Sequence, residues 1–407
     1  MTKIGSLFYN INLVYFRHPR FMRALVVVLA LALLRNAAAE EIRLYTWQPH
    51  SNLPPLVIGV RKSETPQQAS ERYLRELSAN LGLAELLQRS PLPELPMRNY
   101  AELGNREQTS RVLLIANRPE DYARDGNWRI ASFKDPFNSK MSVFMVPFNA
   151  DLGLSEDEST ELIQKLDEAF PPLVPMGGDD LAVPGFNLDL SKSKHYNATR
   201  DLFEYRLLKV KIERILRQTM DRDTDPSGRK DRIAAVCRGY QFVGLILGLT
   251  ILEHVDGHGH HNESPEESVG EGGTPDVNRV PLHSLTLNKT SSGVFSRIVA
   301  PQNGLEIKVA TYHHQCVVQP PQSGRLLSGK TVQGLDVEIA AVAPDNIIEA
   351  FEAGQGRILG IQGHFELMVQ RCKGHLAEYG RSVMDRLADF LVPPKNGCEL
   401  DLLETHK

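Results

Sequence analysis

Cys237 lies in the run Ala235-Val-Cys-Arg-Gly-Tyr-Gln241, where an apolar strand enters, a cysteine sits at the turn and an apolar helix leaves. This is the cysteine form of the strand–turn–helix nucleophile elbow. A sharp turn pushes the sulfur out of the fold, and the helix N-terminus favours thiolate over thiol. The backbone N–H of Arg238 would point to where an oxyanion develops. Gly239 and Ala235 are small enough to let strand and helix approach, and Gly244 and Gly248 let the helix pack closely on a sheet. A lone cysteine in an apolar stretch is also, often, only a small buried hydrophobe. A second segment favours chemistry. Arg357-Ile-Leu-Gly-Ile-Gln-Gly-His-Phe-Glu366 reads as a strand ending in a histidine with a carboxylate two residues on. A thiol nucleophile needs a base within reach, and the base needs an orienting partner. His364 and Glu366 fit those roles at the carboxyl end of a strand, where open α/β sheets place their sites.

The elements that must position these groups follow from periodicity. Apolar runs predict strands at 55–60, 112–116, 142–147, 173–176, 233–236, 285–287, 305–310, 337–343 and 358–361. Helical spacing predicts helices over 66–90, from Ser155 onward, over 199–219, 240–249 and 373–391. Strands alternating with helices indicate an α/β fold, with a largely parallel, flavodoxin-like sheet covered on both faces in a three-layer sandwich. Residues 221–231 read as a charged loop, and 256–276 as a Gly-, His- and Glu-rich surface loop. No internal repeat is present.

The bulk numbers are those of a globular chain of 407 residues, 42% hydrophobic and 24% charged. A net charge of -4 gives no basic field for nucleic acid. The first 39 residues differ from the rest: Lys3, Arg17, Arg20 and Arg23 precede an apolar run from Ala24 to Leu34, and Ala37-Ala38-Ala39 follows. That is the layout of a secretory signal, too short to span a bilayer comfortably. Its removal takes away five basic residues and no acids, moving the net charge from -4 to -9. An alternative start at Met22 would leave a compact signal. Nothing later is long and apolar enough to cross a membrane, so no stable anchor is expected after cleavage. The expected organisation is a signal peptide over 1–39, an N-terminal part with the first strand and a long insertion over 40–140, a core over 141–392 and a tail over 393–407.

Four cysteines, Cys237, Cys316, Cys372 and Cys398, form no Cys-x-x-Cys pair, which argues against a zinc site. Export would permit a Cys372–Cys398 disulfide, which sequence alone does not decide. His258, His260 and His261 cluster in the Gly-rich stretch and read as a solvated loop; no metal or organic cofactor is expected.

Taken together, these segments resemble the class I glutamine amidotransferase-like superfamily. Within it they are similar to the gamma-glutamyl-gamma-aminobutyrate hydrolase-type peptidases. The resemblance runs from about 141 to 392 and rests on five motifs in order. They are Gly177-Gly178-Asp179-Asp180; Arg200, Asp201 and Glu204; Cys237, Arg238, Gly239 and Gln241; Thr311, Tyr312, His313, His314 and Gln315; and Gln362, His364 and Glu366. Ala235 stands where that elbow usually begins with glycine, and Gly363 and Phe365 where Trp and Pro usually flank the base.

The resemblance implies attack by Cys237 on a gamma-glutamyl amide through a thioester, with His364 as acid and base and Glu366 as its orienter. It implies an oxyanion hole from the backbone N–H groups of Gly178 and Arg238. Gly177, Gln241, His313 and Gln315 would hold the glutamyl end or shape the pocket. The partner implied is a small gamma-glutamyl substrate, with export to the periplasm or medium. The rival expectations are a non-catalytic binding protein on the same fold, and an envelope-complex subunit that uses 40–140 to bind a partner.

Overall fold

The computed structural model describes residues 41–47, 53–81, 98–99, 111–115, 128–147, 149–182, 186, 188, 197–220, 231–252, 282–288, 293–300, 307–313, 315–318, 329–330, 336–344 and 346–392. The expected signal segment, the histidine-rich loop, His314, Cys398 and the tail lie outside them. Ile42–Lys407 form one unit, and Met1–Glu41 another, of which only Glu41 is described.

The chain begins with β1 (Ile42–Trp47), β2 (Leu56–Arg61), α1 (Pro66–Leu81), β3 (Arg98–Asn99), β4 (Arg111–Ile115), α2 (Trp128–Asn138) and β5 (Ser142–Val146). Then come α3 (Glu156–Ala169), β6 (Pro172–Pro175), α4 (Ala198–Met220), β7 (Arg232–Val236), α5 (Arg238–Ile246) and β8 (Thr250–Leu252). Next are β9 (Leu282–Ser284), β10 (Thr286–Leu287), α6 (Val294–Ile298), β11 (Lys308–Ala310), β12 (Cys316–Val318) and β13 (Gly329–Lys330). The last are β14 (Asp336–Val342), β15 (Ile348–Ala353), β16 (Ile358–Ile361), α7 (Phe365–Arg371) and α8 (His375–Leu391).

Among the described residues one sheet of 14 strands runs in the order β10-β14-β15-β16-β7-β6-β4-β5-β2-β1-β3, with β8, β12 and β13 joined at one side. The central six, from β16 to β2, are parallel. The wings, β1–β3 on one side and β14–β15 on the other, are antiparallel. This is the expected α/β fold, and the antiparallel wings are an addition to it.

Each central strand faces apolar side chains both ways, which is why those runs are apolar throughout. On β4, Val112 and Leu114 enter one core while Leu113 and Ile115 enter the other; on β7, Ala234 and Val236 alternate with Ile233 and Ala235 in the same way. The first core is closed by Tyr73 and Leu77 of α1, Phe133 and Phe137 of α2, and Val383 and Leu387 of α8. The second is closed by Leu162 and Leu166 of α3, Leu207 and Ile212 of α4, and Tyr240 and Phe242 of α5.

Helix starts are fixed locally. Ser155 and Glu158 exchange side-chain and backbone bonds in a capping box at α3. The Asn197 side chain accepts the Arg200 amide at 2.9 Å at α4. Several sequence expectations need adjustment. The helix expected over 66–90 is described only over Pro66–Leu81. Of the strand expected at 285–287 only Thr286–Leu287 is one, as β10, and β1, β3, β8, β9, β12, β13, β15, α2, α6 and α7 were not anticipated.

Candidate active site

Three neighbouring parallel strands end together: β6 runs into Gly177, β7 into Cys237 and β16 into His364. Parallel pairing aligns their carboxyl ends, and that alignment gathers residues from 176 to 364 into one place. At the elbow, Cys237 has φ 52° and ψ -111°, a left-side conformation that a non-glycine residue holds only when its surroundings over-determine it. Here its N–H donates to Ile361 O at 2.8 Å, and its carbonyl accepts the Gln241 amide at 3.0 Å. The elbow also needs Gly239: a Cβ there would stand 2.2 Å from the Pro175 carbonyl oxygen of β6. Ala235, in place of the usual glycine, is wholly buried on the opposite face of β7 and takes its place in the second core.

His364 Nδ1 lies 2.6 Å from Glu366 Oε1, the orienting contact expected. Burial alone would depress the imidazole. Electrostatic attraction and hydrogen bonding to Cys237 and Glu366 outweigh that and push His364 up to about 10. The arrangement therefore favours an imidazolium beside the sulfur, the state that can hand a proton to a leaving amine. A Cβ on Gly177 would fall 3.0 Å from His364 Cε1 and 3.3 Å from Cys237 Cβ, so both groups converge on a surface that only glycine leaves open. The Tyr312 carbonyl faces Cys237 Sγ at 4.0 Å, and the Tyr312 ring stands edge-on to His364 with centroids 6.2 Å apart.

Behind the elbow is a buried ion network. Arg238 Nη1 donates to Glu204 Oε2 and Nη2 to Asp201 Oδ1, both at 2.5 Å. Arg200 Nε donates to Asp201 Oδ1 at 2.8 Å, and Arg200 Nη2 to the Asp180 carbonyl at 3.1 Å. Asp201 Oδ2 accepts the Ala182 amide at 2.5 Å. The Arg200, Asp201 and Glu204 motif thus ties the 177–182 loop to the first residue of α5. Those two stretches carry the Gly178 and Arg238 amides expected to bind an oxyanion.

Gln241, His313 and Gln315 are buried, and the first two meet at the Gln315 carbonyl. Gln241 Nε2 donates to Gln315 O at 2.7 Å and to Gln362 Oε1 at 3.1 Å. His313 Nδ1 lies 3.1 Å from Gln315 O, and Gln315 Oε1 accepts the Leu181 amide at 3.4 Å. Gly363, which stands at the usual Trp position, has its side-chain space filled: a Cβ would be 2.4 Å from Val309 Cγ2.

His283 and Glu349 escaped the sequence reading. They meet His313 behind this wall, and Glu349 sits in a strand that had no clear periodic signal. Among the described residues no His, Cys, Asp and Glu group is arranged to hold a metal ion, and no helix is long and apolar enough to cross a membrane.

Residues 141–366 match the peptidase C26 family. No curated protein matches the chain. Among solved structures, a glutamine amidotransferase from Thermotoga maritima is 12% identical, with a TM-score of 0.41, covering 70% of this chain and 99% of its own. A glutamine amidotransferase from Methylobacillus flagellatus is 9% identical, with a TM-score of 0.38, covering 70% and 95%. PurLQS from Thermotoga maritima is 12% identical, with a TM-score of 0.39, covering 70% and 99%. The family match spans more than half of the chain and includes Cys237, His364 and Glu366; the chain belongs to the peptidase C26 family, cysteine-type hydrolases and amidotransferases of the class I glutamine amidotransferase-like superfamily that act on carbon–nitrogen bonds.

Proposed function

We propose that this protein is an exported hydrolase of gamma-glutamyl amides that works through a Cys237 thioester. The observation that carries the chemistry is the convergence of the strained Cys237 elbow with a His364 locked by Glu366 at 2.6 Å. The Cys237 sulfur attacks the amide carbonyl, and the oxygen gains charge beside the Gly178 and Arg238 amides. Preorganised donors of this kind supply much of the rate enhancement in acyl transfer. The carbon–nitrogen bond then breaks, and the nitrogen leaves with the proton carried by His364. Water attacks the thioester, gives its proton to His364, and the sulfur is released as the carboxylate forms. Glu366 keeps the imidazole in register through both halves. Gln241 and His313, which both meet the Gln315 carbonyl, shape the pocket together with Gln315. The gamma-glutamyl choice rests on the five-motif resemblance, and export rests on the composition of residues 1–39.

The test is a panel of gamma-glutamyl amides offered to the chain from residue 40 onward, beside Cys237→Ala. Turnover of a member, absent in the variant, is expected. No turnover across the panel, with Cys237 also inert to iodoacetamide at neutral pH, would sink the reading. Export is checked by the mass of the protein recovered outside the cytoplasm, which should begin just after Ala39.

A further inference from the structure

A second histidine–glutamate cluster, which the proposed reaction does not use, lies behind the active-site wall. Glu349 of β15 is 1% exposed. His283 Nε2 lies 3.2 Å from its Oε2, and His313 Nε2 lies 3.6 Å from its Oε1. The two rings stand 6.3 Å apart at 77°. Burial alone would raise the Glu349 carboxyl, but the two imidazoles that face it outweigh that and hold the group at about 2. Glu349 is therefore a buried carboxylate whose compensation comes from two rings on other elements.

Those elements connect to the segment that carries the base. His283 sits on β9, paired with Val309 of β11. The next residue of β11, Ala310, accepts the His364 amide through its carbonyl at 2.8 Å. On the other side, the Glu349 carbonyl accepts the Gln362 amide at 2.8 Å. The segment 362–364 is thus hung between β15 and β11 by two backbone hydrogen bonds. The Glu349 side chain spans the same gap, reaching β9 through His283 and the wall beside Cys237 through His313. A buried, doubly paired carboxylate holds its partners far more firmly than an exposed pair, because losing either partner leaves charge without compensation.

We propose that Glu349 is a positioning residue: by gripping His283 and His313 it holds the β9–β11 pair and residues 311–313 against the main sheet, and so sets His364 against Cys237. This rests on the reading of Cys237 and His364 as the reacting pair. It acts through backbone placement, and displacement of a base by an ångström is costly to turnover.

The test compares Glu349→Gln, which keeps the shape and removes the charge, with His313→Gln and the double variant. Hydrogen exchange is followed in peptides covering 308–313 and 362–364. Both variants should exchange there at least about five-fold faster than wild type, as expected of a locally opened unit, with β7 and α5 unchanged. The double variant should be no faster than Glu349→Gln, since both changes break one linkage. On a gamma-glutamyl amide that wild type turns over, kcat should fall about ten-fold with KM changed less, the pattern of a misplaced base. Unchanged exchange at 362–364, or effects that multiply in the double variant, overturns the proposal. If Glu349→Gln does not fold, His313→Gln alone decides by the same exchange criterion. If wild type turns over no gamma-glutamyl amide, exchange still decides the positioning role, so the two failures stay distinct.

Discussion

Gly177 is where a single methyl group would touch both Cys237 and His364, the proposed reacting pair. A Cβ there would lie 3.0 Å from His364 Cε1 and 3.3 Å from Cys237 Cβ, tighter than ordinary packing but not against main chain. Gly177→Ala should therefore fold and lose turnover: kcat/KM should fall about 100-fold, the scale of a small displacement at a reacting centre. Steady-state rates beside a thermal unfolding curve check this, and a variant that keeps wild-type rates would show that the pair tolerates displacement. Cys237 itself stores backbone strain at φ 52°. Relief by glycine, less its larger chain entropy, should make Cys237→Gly more stable than Cys237→Ala by about 1 kcal/mol. Urea unfolding of the two inactive variants reads the difference, and equal midpoints would mean that the elbow is not strained. The convergence of Cys237, His364 and Glu366 was legible in the sequence because the roles proposed for them demand fixed residue types beside a strand end. Glu349 was not, because nothing in its own segment reveals that two distant histidines neutralise it.

Ion networks between elements carry the next scale. Arg238 of α5 is the shared partner of Asp201 and Glu204 on α4, and all three are at most 1% exposed. Arg238→Ala leaves two carboxylates with reduced compensation and should cost about 3–5 kcal/mol, the usual loss when one partner of a buried pair is removed. A chemical denaturation shift below 1 kcal/mol would assign the network little structural weight.

Glu352 of β15 offers a pH-dependent counterpart. It is 1% exposed and accepts the Phe295 amide at 2.7 Å and the Val294 amide at 3.4 Å. Burial raises it to about 7, helped by the facing Glu338 and opposed by those two amides and Arg297. Its folded value lies above its unfolded one, so the native state holds a proton that the unfolded chain has lost. Stability therefore falls as pH rises from about 4.5 to about 7, by on the order of 3 kcal/mol. Glu352→Gln should flatten that decline and be the more stable form at pH 8, with the smallest gap near pH 4.5. Parallel stability curves for the two proteins across this range would refute it.

The same strand shows why periodicity failed in places. Ile348–Ala353 places its two glutamates three residues apart, without the two-residue alternation of a strand, yet all six residues are buried. In α2 the interior Pro136 hid the helix, since proline ordinarily breaks one. The strands at 112–116, 142–147 and 233–236 were legible because both of their faces are apolar.

At the scale of the whole molecule, the sheet order is not the chain order. β4 (Arg111–Ile115), from the stretch least readable in sequence, lies between β5 and β6 and pairs with both over Leu113–Ile115. Its Val112 and Leu114 enter one core and its Leu113 and Ile115 the other, so it joins the two faces at the middle of the sheet. On the same first core, α2 contributes Ile130, Phe133 and Phe137 against α8 and its surroundings. The family match begins at residue 141, yet the strand that supports β6, and through it Gly177, comes before that point. A chain cut to begin at residue 141 would expose the edges of β5 and β6 and empty both cores at their centre. Losing Val112, Leu113, Leu114 and Ile115, at about 1.5–3 kcal/mol for each, is on the order of the whole net stability of a domain, and β1, β2, α1 and α2 would go with them. The truncated chain should therefore be insoluble or lack a cooperative thermal transition, and should neither turn over substrate nor react selectively at Cys237. Expression of residues 141–407 beside 40–407, followed by calorimetry, makes the comparison. A soluble fragment with a sharp transition and a reactive Cys237 would mean that 40–140 is separable, and would return that stretch to consideration as a partner-binding region.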